Sequence, residues 1–162
     1  MKKILLTAVA VVGLGFASQA QETRFGIKAG ADFASMKVKT EFMGETFEST
    51  ASETGFFVGG FAELGISDKF AVQPELLYVG IKDFNMISLP VLAKFEIMEG
   101  LHLMAGPDFN YLLDAEEDEF KINIGGGAEY DINENFDVSA RYSAGMGDVS
   151  ISGVFLGVGY AF

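Results

Sequence analysis

The 162-residue chain is 49% hydrophobic, carries 20 Gly, 16 Phe and 5 Tyr against 3 Pro and no Trp or Cys, and has a formal net charge of −12. That acidity excludes a basic nucleic-acid surface, and the lack of cysteine excludes a disulfide framework, a thiolate metal site and a lipid anchor on sulfur. After the first twenty residues no run is long and apolar enough for a membrane helix, so a chain of this make-up that crosses a bilayer must do so with strands.

The opening residues read as an export signal. Lys2 and Lys3 form a basic start, Ile4 to Ala17 an apolar run, and Ser18-Gln19-Ala20 a small-residue cleavage signature before Gln21. The expected division is therefore a signal peptide over 1–20 and one domain over 21–162, enough chain for a single unit.

Within that domain, side chains taken two apart sort into an apolar and a polar face, the signature of strands. Segment one, Arg24 to Met36, sets Phe25, Ile27, Ala29, Ala31 and Phe33 against Lys28 and Asp32. Segment two, about Gly55 to Ile66, sets Phe56, Val58, Gly60, Ala62, Leu64 and Ile66 against Phe57, Phe61 and Glu63. Segment three, Phe70 to Gly80, sets Phe70, Val72, Pro74, Leu76 and Tyr78 against Gln73 and Glu75. Segment four, Met86 to Ile97, sets Ile87, Leu89, Val91, Ala93, Phe95 and Ile97 against Ser88, Lys94 and Glu96.

Segment five alternates Leu101, Leu103, Ala105, Pro107, Phe109 and Tyr111 with His102, Asp108 and Asn110. In segment six Ile122, Ile124, Gly126, Ala128, Tyr130 and Ile132 oppose Lys121, Asn123, Glu129 and Asp131. Segment seven places Phe136, Val138, Ala140, Tyr142 and Ala144 opposite Asp137, Ser139, Arg141 and Ser143. Segment eight carries Val154, Leu156, Val158, Tyr160 and Phe162 on one face. No apolar face holds a charge.

Ser67-Asp68-Lys69, Met98-Glu99-Gly100 and Asn133-Glu134-Asn135 read as tight turns. Lys37 to Thr54 and Leu113 to Phe120 read as long polar loops, with Ile81 to Asn85 and Gly145 to Ser150 intermediate. Short turns on one rim and longer loops on the other match an eight-stranded antiparallel up-and-down transmembrane β-barrel, all-β, with the short rim and both chain ends in the periplasm.

Alternation does not say which face is inside, since a secreted soluble lipocalin-like binding barrel would hide the apolar one. Three features favour an outward apolar face. The polar face is poor in charge for a wetted surface and includes Phe57, Phe61, Leu77, Val79, Leu92, Leu112 and Phe155, which suit a narrow lumen of about eight strands. The apolar-face aromatics gather into two lipid-facing girdles. Phe25, Phe70, Phe95, Tyr130, Phe136, Tyr160 and Phe162 lie near the short-turn rim; Phe33, Phe56, Tyr78, Phe109, Tyr111 and Tyr142 lie near the other. Finally, a balanced lumen charge network is available: Lys28, Lys94, Lys121 and Arg141 with Asp32, Glu63, Glu75, Glu96, Asp108, Glu129 and Asp137.

Several stretches carry a resemblance. They are Phe25-Gly26-Ile27-Lys28-Ala29-Gly30, Gln73-Pro74-Glu75-Leu76-Leu77-Tyr78, Leu89-Pro90-Val91-Leu92-Ala93-Lys94-Phe95, Ala105-Gly106-Pro107, Gly125-Gly126-Gly127-Ala128-Glu129-Tyr130, Arg141-Tyr142 and Gly157-Val158-Gly159-Tyr160-Ala161-Phe162. In this order the chain resembles the Bacteroidetes-type outer-membrane β-barrel family, the porin-family or PorT-like barrels. The resemblance implies a barrel in the outer membrane of a Gram-negative cell envelope, with outer-membrane lipid around it. Phe162 at the end of an alternating strand resembles the assembly signal that the barrel-assembly machinery reads. The family has no shared catalytic residues to carry over.

Catalytic chemistry is not expected. Glu63, Glu75, Glu96, Asp108 and Glu129 converge without a nucleophile or lid, and His102 has no second His or Cys for a metal. No nucleophile elbow, Walker loop or dinucleotide fingerprint occurs, so neither metal nor cofactor is expected. The acidic run Asp114 to Glu119 lacks the spaced ligands and turn Gly of a Ca²⁺ loop. Val38, Phe42, Met43 and Phe47 alternate with charged residues and offer a protruding sheet edge for a surface or envelope protein partner. The expected role is structural or surface-interacting, as a monomer with a filled, essentially non-conducting lumen. Porin-like transport of small solutes is the alternative, and a lipid-modifying enzyme at the rim, centred on His102, comes third.

Overall fold

The computed structural model describes residues 22–42, 45–82, 84–113, 120–146 and 149–162. The expected signal segment 1–20, the acidic run 114–119 and the side chains of 38–48 lie outside the described residues. Eight strands follow one another: β1 (Glu22–Phe42), β2 (Glu45–Ser67), β3 (Phe70–Ile81), β4 (Phe84–Met98), β5 (Leu101–Leu112), β6 (Phe120–Asp131), β7 (Phe136–Gly145) and β8 (Val149–Ala161). Each pairs antiparallel with the next, and β1 pairs with β8 to close the barrel. Closure matters because in hydrocarbon every backbone N–H and C=O needs a partner, and a closed barrel leaves no edge within the wall.

Three turns on one rim are tight. β2 and β3 are joined by Asp68 and Lys69, β4 and β5 by Glu99 and Gly100. Gly100 has φ +74°, a left-handed conformation that glycine adopts without a Cβ clash. In the β6–β7 turn the Asn133 carboxamide oxygen accepts from the backbone N–H groups of Asn135 and Phe136, both at 2.9 Å. Beside it the chain end is tied down: the Phe162 N–H donates to the Phe25 carbonyl, 2.9 Å, and Ala161 N–H to that of Asn135, 2.8 Å.

On the opposite rim the strands run further than expected. Most of Lys37 to Thr54, expected as a loop, is strand: β1 and β2 stay in register from Glu22↔Gly65 to Phe42↔Glu45. β8 leaves β1 at Val38↔Val149, and β3 leaves β2 at Phe56↔Gly80. The hairpin therefore stands beyond the closed wall, held by its own ladder. Similarly, β3 and β4 reach Ile81 and Phe84, and β7 and β8 reach Gly145 and Val149, which shortens both expected intermediate loops. Antiparallel pairing continues for as long as two chains can keep exchanging hydrogen bonds, so polar residues did not end these strands.

The two faces separate as alternation requires. Phe25, Ile27, Leu76, Phe95, Leu103, Ile124, Tyr142, Leu156 and Val158 are all exposed, outward and uncharged. Inside lie Phe57, Phe61, Leu77, Val79, Leu92 and Met104 together with Lys28, Glu75, Lys94, Asp108, Glu129 and Arg141, all buried. This inverts a soluble barrel, so the lipocalin-like alternative is set aside. Leu64 departs from its face: flanked by Thr23 and Val72 on the neighbouring strands, it is only 4% exposed.

Candidate functional site: the charged lumen and the outer hairpin

The interior is layered. Nearest the short-turn rim is a cavity of about 200 Å³ whose walls include Arg24, Glu63, Lys69, Lys94, Glu96 and His102. Above it runs a chain of ion pairs. Arg24 lies 3.5 Å from Glu63 and also donates to the Glu134 carbonyl at 2.5 Å, which ties the wall to the β6–β7 turn. Lys94 Nζ bridges Glu63 and Glu129. Lys28 Nζ bridges Glu129 at 2.7 Å and Glu75 at 3.1 Å. Arg141 continues to Glu75 at 3.3 Å and Asp108 at 3.7 Å.

Apart from Arg24 and Glu63 nearer the mouth, these groups are almost entirely out of water, so no one of them stands without a compensating charge except at high cost. The network's geometry lets Lys28, Lys94 and Arg141 each serve two carboxylates, and Gln73 adds a hydrogen bond to Glu75 at 2.9 Å. Two aromatic rings also take part: Phe61 lies 5.2 Å from Lys28 Nζ and Phe155 4.9 Å from the Arg141 guanidinium carbon.

Not every expected member joins. The Glu96 carboxylate instead accepts the Gly100 N–H at 3.3 Å, bracing the β4–β5 turn. Asp32 and Asp137 are buried, yet neither Asp32 oxygen and only one Asp137 oxygen at most has a hydrogen-bond partner among the described residues. Arg24, which alternation places on the same face as Lys28, was overlooked as a member. His102 pairs with Asp131, 3.0 Å, at the mouth; no Ser hydroxyl contact accompanies it among the described interactions.

Above the ion pairs comes an apolar layer of Ala34, Phe57, Leu77, Val79, Ile81, Met86 and Phe155, with the rings of Phe57 and Phe155 edge-to-face at 5.5 Å. Cavities of about 10 Å³ lie on either side of Phe155, one beside Lys28 and Arg141, the other beside Asp32.

On the outer wall the aromatics meet in clusters. Near the short-turn rim Phe136, Tyr160 and Phe162 form a chain with ring centroids 4.9 and 5.6 Å apart. Near the other, Phe56 faces Tyr78 at 6.2 Å and Phe109 stacks on Phe120 at 6.3 Å. Phe120 was expected in a loop; it opens β6 and points outward, as its even number, shared with Ile122 and Ile124, would have signalled. Phe25, Phe33, Phe95 and Tyr130 are exposed, whereas Phe70, Tyr111 and the Tyr160 ring between its neighbours are half-buried.

Among the described residues no group of three or more His, Cys, Asp or Glu is arranged to hold a metal ion, and no helix is long and apolar enough to cross a membrane. The latter says nothing against strands.

Comparison with solved structures finds the same fold. Ail of Yersinia pestis, solved with the heparin analogue sucrose octasulfate, is 18% identical with a TM-score of 0.56, over 88% of this chain and 100% of that one. Neisserial surface protein A matches at 18% identity and a TM-score of 0.54, over the same shares. A de novo designed transmembrane β-barrel matches at 14% identity and 0.51, over 88% of this chain and 99% of that one. No characterised protein sequence matches the chain. A family model described as Outer membrane protein beta-barrel domain matches residues 5–162. The chain therefore belongs to the outer membrane protein β-barrel domain family and resides in the cell outer membrane, in contact with its lipid.

Proposed function

We propose that this protein is a structural, surface-interacting barrel with a closed, essentially non-conducting lumen, and that its outward-standing β1–β2 hairpin is the element it offers to a partner. The observation that carries the closed lumen is the pairing of a cross-linked ion network with the apolar layer of Phe57, Leu77, Val79, Met86 and Phe155 directly above it. A hydrated ion following this path would have to break buried ion pairs and then shed its water against hydrocarbon, each costly.

The hairpin reading rests on backbone geometry. From Glu45 to Gly55, β2 has no ladder partner except β1 among the described residues. An unpaired strand edge accepts an extended segment by β-augmentation. With Glu45, Glu48 and Glu53 and no cation over that stretch, the edge suits a basic one. The polyanion bound to Ail is not carried over, because a chain of net charge −12 repels it.

The same reading assigns Lys28, Asp32, Glu63, Glu75, Lys94, Glu96, Asp108, Glu129, Asp137 and Arg141 to ordering the lumen, the two aromatic belts to the lipid interfaces, and Phe162 to recognition by the barrel-assembly machinery. It takes 1–20 as a cleaved signal peptide and the barrel as a monomer. The finer placement among Bacteroidetes-type barrels rests on the motifs from Phe25-Gly26 to Ala161-Phe162.

Planar-bilayer recording of the refolded barrel tests the closed lumen. Baseline current with rare openings is expected; large, steady, salt-dependent currents would instead establish porin-like transport, for which the 200 Å³ mouth cavity would serve as vestibule.

A further inference from the structure

The charged groups sealed inside the barrel do not balance. The buried set comprises the cations Lys28, Lys94 and Arg141 against the carboxylates Asp32, Glu75, Asp108, Glu129 and Asp137. All three cations are committed to ion pairs with Glu75, Asp108, Glu129 and the less buried Glu63. Asp32 is left over. It is 1% exposed, and neither carboxylate oxygen has a hydrogen-bond partner among the described residues. An isolated ion so placed is prohibitively costly, so something must neutralise it.

Its surroundings indicate what. Asp32 borders a cavity of about 10 Å³, room for one water-sized guest, below the outer ends of β5 to β8. Phe155 lines this cavity and the one beside Arg141, so the ring stands between Asp32 and the ion-pair network. The polar part of the wall is Asn110, Asn123, Ser143 and Ser152. The Asn123 amide nitrogen donates to Ser143 Oγ at 3.1 Å and to the Ile151 carbonyl at 2.8 Å, so its two protons are spent and its carbonyl oxygen remains. Ser152 Oγ accepts the Gly145 N–H at 3.0 Å. Beside the carboxylate the wall thus presents side-chain oxygens of Asn110, Asn123, Ser143 and Ser152, a set that suits a hard cation.

We propose that the cavity at Asp32 is a binding site for one small monovalent cation, held by the Asp32 carboxylate and the side-chain oxygens of Asn110, Asn123 and Ser143. A single carboxylate matches a single positive charge, whereas Ca²⁺ sites recruit more oxygen ligands and more acidic charge. The bound ion supplies the contact counter-charge that Arg141, paired with Glu75 and Asp108, does not give Asp32, and it pins β1 to β5, β6 and β7 near the outer rim.

The test is urea unfolding of the refolded full-length barrel in NaCl against choline chloride at equal ionic strength, read by gel migration without boiling. Sodium at ten times its Kd raises the folded-to-unfolded ratio about tenfold in a saturable manner, and choline does not. Asp32→Asn, nearly isosteric and uncharged, folds and loses the difference. Should it fail to fold, Ser143→Ala, which removes one ligand oxygen, shifts the half-saturating sodium concentration upward. Equal stability in sodium and choline overturns the site, leaving water as the guest. A stability that follows pH alone, and loses that dependence in Asp32→Asn, overturns it in favour of a proton. An unchanged sodium response in Asp32→Asn or Ser143→Ala overturns it as well.

Discussion

Lys28 on β1 reaches across the lumen to Glu129 on β6, 2.7 Å away, although β7 and β8 separate the two strands along the wall. The contact joins residues 101 positions apart in sequence and belongs to no strand ladder. It makes the interior a brace between walls that otherwise touch only through their neighbours.

Removing the brace from one side should be costly. Lys28→Met leaves Glu75 sharing Arg141 alone and Glu129 sharing Lys94 alone, both buried. A loss of about 3–5 kcal/mol is expected in urea unfolding, the range for breaking a buried pair. Lys28→Met combined with Glu129→Gln recovers part of it, since one of the two carboxylates that lost Lys28 is then uncharged and Lys94 still pairs with Glu63. A double variant weaker than Lys28→Met alone would show that the pair does not act as a unit.

At the seam between β1 and β8, an alanine Cβ at Gly30 would overlap the Leu156 carbonyl and stand 2.7 Å from the Gly157 Cα. Backbone on the closing strand does not give way as a side chain does. Gly30→Ala is expected to destabilise by about 1–3 kcal/mol, the overpacking range. Gly60→Ala is the control: its Cβ would meet only the Gly26 carbonyl, at 3.4 Å, and near-native stability is expected. Thermal loss of the fast-migrating folded band reads both.

The outward face predicts a depth-dependent penalty. Leu156 is 45% exposed in the middle of β8, away from the ring clusters of either rim. Leu156→Arg should cost about 2–4 kcal/mol in lipid vesicles, and Phe136→Arg, beside the β6–β7 turn, about 0–1 from the charge itself. Similar penalties at the two sites would contradict lipid contact at mid-height.

The hairpin should be separable from the barrel. Replacing residues 39–48 with a short turn joins Val38 to its register partner Ser49 and keeps every pair of β1 with β8, which ends at Val38, and of β2 with β3, which begins at Phe56. Folding into lipid and heat-modifiability are expected to persist, while capture of a basic extended peptide by the intact barrel in a pull-down disappears. Loss of folding would assign the hairpin to stability rather than to interaction.

Much of this was legible without coordinates, for local reasons. Phe25, Ile27 and Ala29 on one side and Lys28 and Asp32 on the other are separated by the strand's two-residue period, which depends only on neighbouring backbone. The tight turns at Asp68, Gly100 and Asn133 were readable from residue type for the same reason. Strand ends were less so: Lys37 to Thr54 looks like a loop because it is polar, yet pairing continues through most of it.

The amino-acid sequence by itself determined eight alternating strands, an uncharged outer face and a set of inward charges. Only the tertiary structure decided which charges meet: Lys28 with Glu129 and Glu75, Arg141 with Asp108, Glu96 with a turn, and Asp32 with none of the described residues. Facing direction is a property of each strand alone. Contacts across the lumen depend on register and closure, which set the height of every side chain and emerge only when all eight strands are joined.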